Sequence, residues 1–490
     1  MIGAIAPAVR TAIAILPIAG ATLVLGSCAV NPVSGSADFV LMSEDQEIQL
    51  GRANDPKIRA QFGVYDDPKL QAYVQQVGER VAARSHRPNL IYRFTVLDAP
   101  DVNAFALPGG YIYITRGIMA YLNSEAELAA VLGHEVGHVT ARHSVRQYST
   151  ATAGQVLTSI LLRSQAGQDL FNVIGQAFLS GYGRDQELEA DRLGSQYLAR
   201  TGYNPDAMVE VVGVLKNQEE FEKQRAKAEG REPRNYHGVF ASHPSADQRL
   251  QEVVAQARNE KAAATARVER DTYLQQIDGL VFGDSAKAGI RKGSAFYHRD
   301  LNFTVRFPDG WRLENSPDAV TAQSPNRDAV ILLRTDDLNK RQSPEDYLKT
   351  RLKIDALRNG APIAGVADPS YSGVATLATP FGRRDTRASV VFRDTRAFLL
   401  LAAAKTDALA KQLDERFLAT ARGLHALTAE EKRIAEGLRL RIVQAQGQQS
   451  FARLAKTVPV TNYAESVLRL INDKYPAGEP TPGQSIKVIQ

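Results

Sequence analysis

His134 and His138 stand four residues apart in His134-Glu135-Val136-Gly137-His138, inside a stretch from Ser124 to Arg142 whose pattern predicts one helix. Residues four apart on a helix share a face, so two imidazoles can be offered to one metal ion while Glu135 works on a metal-bound water. Only eight His occur in 490 residues, so chance would produce such an H-E-x-x-H run in roughly one chain in a hundred. That rarity sets aside the reading of two histidines on a solvated face. Ser124 is placed to cap the helix, with Glu127 as capping-box partner.

A tetrahedral catalytic site needs a third protein ligand and an open position for water. Glu187 and Asp191, again four apart in the helical pattern from Tyr182 to Gly194, meet the need. Glu187 is the expected third ligand of one Zn²⁺ per chain. Asp191 suits the outer shell, accepting from the non-metal nitrogen of His134 and so fixing its tautomer and raising its basicity. Glu189 points elsewhere on that helix and reads as a solvated carboxylate. On a continuous helix His143, five residues past His138, faces away from the metal, which predicts a structural role.

HEVGH followed by Glu-Leu-Glu-Ala-Asp at 187–191 resembles the zinc metallopeptidases related to CAAX prenyl proteases, most closely their soluble envelope branch, the BepA-like proteases. The run Asn103 to Gly117 resembles that family's strand segment ahead of the zinc helix, and Ser242-His243-Pro244 resembles the segment that closes its catalytic domain. The resemblance spans residues 38 to 275. It implies a gluzincin-type endopeptidase whose substrates are misfolded or unassembled envelope proteins. It also implies that His243 lies near the metal, stabilising the oxyanion or filling zinc's open position in a latent state; read without the family, it is a loop histidine.

The elements that must position these residues follow from periodicity and turn signals. Helices are expected over Ser43 to Arg59, with Ser43 as cap, and over Pro68 to Arg84, where Leu70, Tyr73, Val74, Val77 and Val81 share a face. Tyr92 to Leu97 and Tyr111 to Thr115 read as strands, the second fed by a Pro108-Gly109-Gly110 turn. Asn103, Ala104 and Phe105 are the expected sheet edge where substrate backbone adds as a strand; a plain structural loop is the other reading. Val156 to Leu162 and Leu170 to Tyr182 read as core helices or as a lid. Charged interruptions leave neither long enough to span a membrane.

Downstream the texture changes. Phe303 to Phe307, Val330 to Arg334, Ala388 to Arg393 and Ala397 to Ala402 read as strands and Pro344 to Arg358 as a helix, with Trp311 in the core. Arg441 to Gln490 resembles a LysM module in outline, with Gly447-Gln448-Gln449 in place of that family's acidic Gly-Asp-Thr. The fold class expected is α+β: a mainly helical zincin-like catalytic domain with a small sheet, an α+β domain and a small LysM-like βααβ module. The divisions are 1–27 signal peptide, 28–37 anchor and linker, 38–275 metallopeptidase, 276–428 accessory domain and 429–490 LysM-like module.

The sole cysteine, Cys28, follows an apolar run from Thr11 to Leu25 in Leu25-Gly26-Ser27-Cys28. Run and small residues have the form of a signal-peptide core and cleavage site. The tetrapeptide resembles a bacterial lipobox, which implies acylation at Cys28 and, with Ala29 following, an outer-membrane lipoprotein facing the periplasm of a Gram-negative cell. Composition is that of globular protein, 44% hydrophobic and 23% charged, and the net charge of +5 is small beside 59 basic and 54 acidic residues. With no basic cluster interleaved by aromatics, nucleic acid is not an expected partner. Unfolded envelope proteins, the outer membrane, and peptidoglycan or assembly machinery through the C-terminal module are. Two other functions fit the same residues, a peptidoglycan-peptide hydrolase and a latent metalloprotein acting as chaperone or adaptor.

Overall fold

The computed structural model of the chain describes residues 28–40, 42–150, 182–231, 233, 252, 254, 265–447 and 449–490. The expected signal peptide, the stretches 156–162 and 170–181, and His243 with its flanking segment lie outside the described residues. Strands β1 (Cys28–Val30) and β2 (Ala37–Phe39) pair antiparallel, so the stretch read as a linker carries a short hairpin.

Caps start the first helices. Ser43 accepts from the Gln46 N–H and Gln46 accepts from the Ser43 N–H, the reciprocal box that opens α1 (Glu44–Phe62). Asp67 accepts from Lys69 and Leu70 N–H groups ahead of α2 (Pro68–Ala82). Three strands follow, β3 (Arg93–Leu97), β4 (Ala104–Leu107) and β5 (Tyr111–Thr115), in the order β3-β5-β4, with β3 parallel and β4 antiparallel to β5. Helix α3 (Arg116–Met119) leads into α4 (Glu125–Thr140), the expected zinc helix. Ser124 caps α4 as expected, but Glu127 accepts from the Asn123 N–H, one residue ahead of the predicted partner. Every residue of α4 is buried. Its core contacts come from Val74, Val77 and Val81 of α2, Ile112 and Ile114 of β5, and Leu193 and Tyr197 of α5 (Arg184–Thr201). Helices α6 (Asp206–Ala228) and α7 (Arg270–Gln276) complete this part.

Strands β6 (Val281–Ser285), β7 (Ile290–Lys292), β8 (Ala295–His298) and β9 (Phe303–Arg306) lead into an antiparallel seven-stranded sheet. That sheet comprises β10 (Arg312–Ser316), β11 (Ala319–Gln323), β12 (Ala329–Asp337), β13 (Arg358–Ala361), β14 (Ser370–Thr379), β15 (Gly382–Arg393) and β16 (Arg396–Ala404), ordered β10-β11-β12-β16-β15-β14-β13. Helices α8 (Pro344–Leu352) and α9 (Asp407–Arg422) pack on it. Trp311 sits in its core beside Phe417, as expected. The helix expected to reach Arg358 stops at Leu352, where Lys353 turns left-handed at φ 55°, and Arg358 opens a strand instead.

After α10 (Ala429–Ala435) come β17 (Gly437–Gln444), α11 (Phe451–Leu454), α12 (Ala464–Ile471) and β18 (Ser485–Ile489), with β17 and β18 antiparallel. Strand β17 also pairs with β6, so this sheet joins strands from both sides of the expected boundary at 428. Phe451, Leu468, Ile471, Ile486 and Val488 belong to the same hydrophobic core as α2, α4 and α5. No helix among the described residues is long and apolar enough to cross a membrane.

Candidate active site

The α4 and α5 backbones run close together because glycines line the crossing. A Cβ on Gly137 would lie 3.0 Å from the Ala190 carbonyl oxygen, and one on Gly194 would lie 3.0 Å from the His134 backbone nitrogen. This approach lets side chains of α5 reach the histidine face of α4. The Nε2 atoms of His134 and His138 are 3.0 Å apart. Glu187 places Oε2 3.6 Å from His134 Nε2 and Oε1 3.5 Å from His138 Nε2. The three side chains offer ligand atoms within 4.8 Å of one another, and all three are buried.

Two imidazole nitrogens and a carboxylate converging in a buried space are the donor types that zinc takes in catalytic sites. A buried carboxylate with neutral nitrogens beside it is also favoured by a cation among them. The residues therefore fit a zinc ion, which His134, His138 and Glu187 would hold. Asp191 Oδ1 lies 2.8 Å from His134 Nδ1, the partner expected from spacing. That bond puts the hydrogen on Nδ1 and leaves the Nε2 lone pair for the metal. Glu135, 2% exposed, sits on the same turn of α4.

Three further side chains shape the site. The Tyr182 ring stacks on His138 with centroids 3.9 Å apart and planes 18° from parallel, and its hydroxyl lies 2.7 Å from Ser144 Oγ. Burial, and then the nearby Glu135 and Glu187, raise the Tyr182 pKa, holding the phenol neutral. His143 does not face away: its Nδ1 is 2.8 Å from His138 Nδ1, and its Nε2 is 3.1 Å from Glu189 Oε2. Burial pulls the His143 pKa below the ordinary imidazole value, while the hydrogen bond from His143 lowers that of Glu189. The expectation of a solvated Glu189 rested on its place away from Glu187 and Asp191 on its own helix, and that of a structural His143 on a helix continuing to Arg142. The helix ends at Thr140, and Arg142 adopts φ 56°, turning the chain so that residue 143 returns to the metal face. The signal was the third histidine of H-E-x-x-H-x-x-x-x-H; the corner that redirects it has no local signature.

Of the residues expected at the substrate edge, Ala104 and Phe105 lie in a strand and Asn103 lies just ahead of it. Strand β4 opens at Ala104 and pairs, among the described residues, with β5 alone, on the edge of its sheet. Asn103 precedes the strand and is tied to Thr115 through both backbone groups. Phe105 stacks on Tyr113 at 5.0 Å, so its side chain belongs to the core.

Residues 68–257 match the model of Peptidase family M48. The chain is 30% identical over 252 residues to the "Beta-barrel assembly-enhancing protease" of Yersinia pestis, covering 48% of this chain and 49% of that protein. It is 28% identical over 273 residues to the protein of that name from Escherichia coli (strain K12), covering 52% and 53%. It is 36% identical over 152 residues to "Mitochondrial metalloendopeptidase OMA1" of Arabidopsis thaliana, covering 31% of each. The chain thus spans about half the length of the first relatives it matches.

Proposed function

We propose, from the zinc metallopeptidase domain of family M48 that residues 68–257 carry, that this chain is an endopeptidase of misfolded or unassembled cell-envelope proteins. The observation that carries the reading is the buried convergence of His134, His138 and Glu187 on α4 and α5, with Asp191 behind His134. Relatives named for enhancing β-barrel assembly support a role among envelope proteins that fold as β-barrels.

When bound, zinc supplies Lewis-acid polarisation of the scissile carbonyl and makes water acidic enough to be deprotonated near neutral pH. Glu135 takes that proton as general base and returns it to the leaving amine. Asp191 keeps His134 in the tautomer that presents Nε2. The outer edge of β4 supplies backbone groups to an extended substrate, which gives affinity with little side-chain selectivity and suits unfolded chains. His243 acts near the metal, either on the oxyanion or as a plug.

The remaining features give the enzyme its address. Cys28 is the acylated N-terminus of an outer-membrane lipoprotein, following a signal peptide at 1–27, and the catalytic part faces the periplasm. Residues 38–275 form the catalytic part and 276–428 the accessory one. The LysM-like module at 429–490 contacts assembly machinery or peptidoglycan. The purified chain is expected to carry one zinc and to digest a denatured outer-membrane protein. Glu135→Gln should abolish digestion with zinc retained, and mass spectrometry should find acyl chains on Cys28. Cleavage of peptidoglycan peptides but of no unfolded protein would transfer the reading to a cell-wall hydrolase, and cleavage of neither to an adaptor.

A further inference from the structure

Asp191 accounts for one of the two histidine ligands. The Nδ1 of the other, His138, meets a second imidazole, with the Nδ1 atoms of His138 and His143 2.8 Å apart. One of these nitrogens must carry the hydrogen and the other must accept. The far side of His143 decides which. Its Nε2 lies 3.1 Å from Glu189 Oε2, and an ionised carboxylate only accepts, so the His143 hydrogen sits on Nε2. The Nδ1 of neutral His143 is then a lone pair. The hydrogen between the rings therefore belongs to His138 Nδ1, and His138 presents its Nε2 lone pair beside those of His134 and Glu187.

We infer that His143 and Glu189 are positioning residues that hold His138 in its metal-binding tautomer, a two-step counterpart of the direct Asp191 contact to His134. The inference rests on the metallopeptidase reading and adds to it an outer shell for the second histidine. The chain is built to keep this contact. A non-glycine residue in the left-handed region is strained, and Arg142 is held there at φ 56° by a hydrogen bond and an ion pair to the N-terminal segment. Its Nη2 donates to the Met42 carbonyl at 2.7 Å, and its Nε lies 3.2 Å from the buried Glu47 carboxylate. Arg87 pairs with the same carboxylate and donates to the Val139 carbonyl at the end of α4, so the corner is braced from both sides. The Tyr182 ring, stacked on His138, restricts the remaining rotation. Arg146 extends the line outward, 3.6 Å from Glu189 and 3.6 Å from Asp38 of β2.

Chelator competition on the purified full chain tests this, with thermal unfolding of the zinc-free protein measured alongside. Loss of a partner behind a ligating histidine weakens metal binding by about 10–100-fold. His143→Leu, similar in volume and without an acceptor, is expected to show that loss with little change in zinc-free stability. His143→Asn restores an acceptor oxygen near the Nδ1 position and should recover part of the affinity. Glu189→Gln, a change at a partly exposed side chain that leaves the core alone, should weaken zinc less than His143→Leu. Asp191→Asn serves as the reference for the direct contact. If Asp191→Asn releases zinc more readily while His143→Leu and Glu189→Gln hold it as tightly as wild type, the relay is overturned and the metallopeptidase reading stands. If wild type itself takes up no zinc, that reading falls first. If His143→Leu does not fold, Glu189→Gln and His143→Asn decide alone.

Discussion

A neutral imidazole is an ambiguous ligand, because either nitrogen can carry the hydrogen and only the bare one can bind a metal. In this chain each ambiguity is resolved by a carboxylate, Asp191 for His134 and Glu189 through His143 for His138. His243 poses the same question with opposite consequences. A neutral imidazole in zinc's open position would displace the attacking water, so His243→Ala should then raise cleavage of an unfolded substrate with zinc content intact. If His243 instead donates to the oxyanion, the substitution should lower kcat by about 10²–10³, the usual loss for one such donor. Steady-state proteolysis reads the sign directly, and an unchanged rate would return His243 to a plain loop residue.

Elements position these residues through one close crossing. Helix α4 brings His134, Glu135 and His138, α5 brings Glu187 and Asp191, and the helices meet where Gly133, Gly137 and Gly194 carry no side chain. A methyl on Gly194 would meet Met208 Cε at 2.5 Å, which can move, and the His134 backbone nitrogen at 3.0 Å, which cannot. Gly194→Ala is therefore expected to push α5 off α4, costing about 1–3 kcal/mol in urea unfolding, the range for overpacking. It should weaken zinc as well, because both carboxylates ride on α5. A methyl on Gly213 in α6 would have nothing within 4 Å. Gly213→Ala should match or exceed wild-type stability, since alanine is the better helix former. Equal stability of the two variants would mean that the glycine crossing does not set the site's geometry.

At the scale of the molecule, the C-terminal βααβ unit is joined to the base of the zinc helix. Lys487 of β18 is fully buried and donates to the Ala120 and Leu122 carbonyls at 2.9 and 2.7 Å, just ahead of α4. Arg270 adds bonds to the Asn123 and Ser485 carbonyls. Burial lowers the Lys487 pKa to about 7, against the raising effect of Glu127 and Asp473 and with Arg270 adding to the fall. Burial, and then Glu210, raise Glu127 to about 8, against the lowering effects of the Asn123 N–H and Lys487. Above about pH 7 and up to the ordinary lysine value, unfolded Lys487 holds a proton that the folded state does not. Its contribution therefore increases with pH by up to about 1.4 kcal/mol per unit. Glu127 acts in the opposite sense, holding an extra proton when folded, so its contribution is present at low pH and lost as pH rises through about 8. From about pH 8 to 10 Lys487 acts alone. Thermal denaturation across that window should show wild type gaining on Lys487→Met, and parallel curves would refute the buried, neutral lysine.

What local chemistry decides is readable from residue order: the side chains that could hold a metal from four-residue spacing, the helices from their caps, and the strands at 93–97 and 111–115 from clustered β-formers. These depend on neighbours within a turn or two of chain. Three features depend on segments far apart in sequence and become visible only in the fold. The pattern carries the zinc helix through to Arg142, yet it is broken by a corner pinned from Met42 and Glu47, and this returns His143 to the site. Glu189, a solvated carboxylate by its position on the helix, is engaged by that returned histidine. The C-terminal unit, a separate module by sequence, shares a core with α4, because the apolar faces of Phe451, Leu468 and Ile486 are covered by residues hundreds of positions earlier in the chain. Spacing can name the atoms that bind a metal; which atoms stand behind them is settled by tertiary packing, since those partners come from distant segments with no periodicity in common.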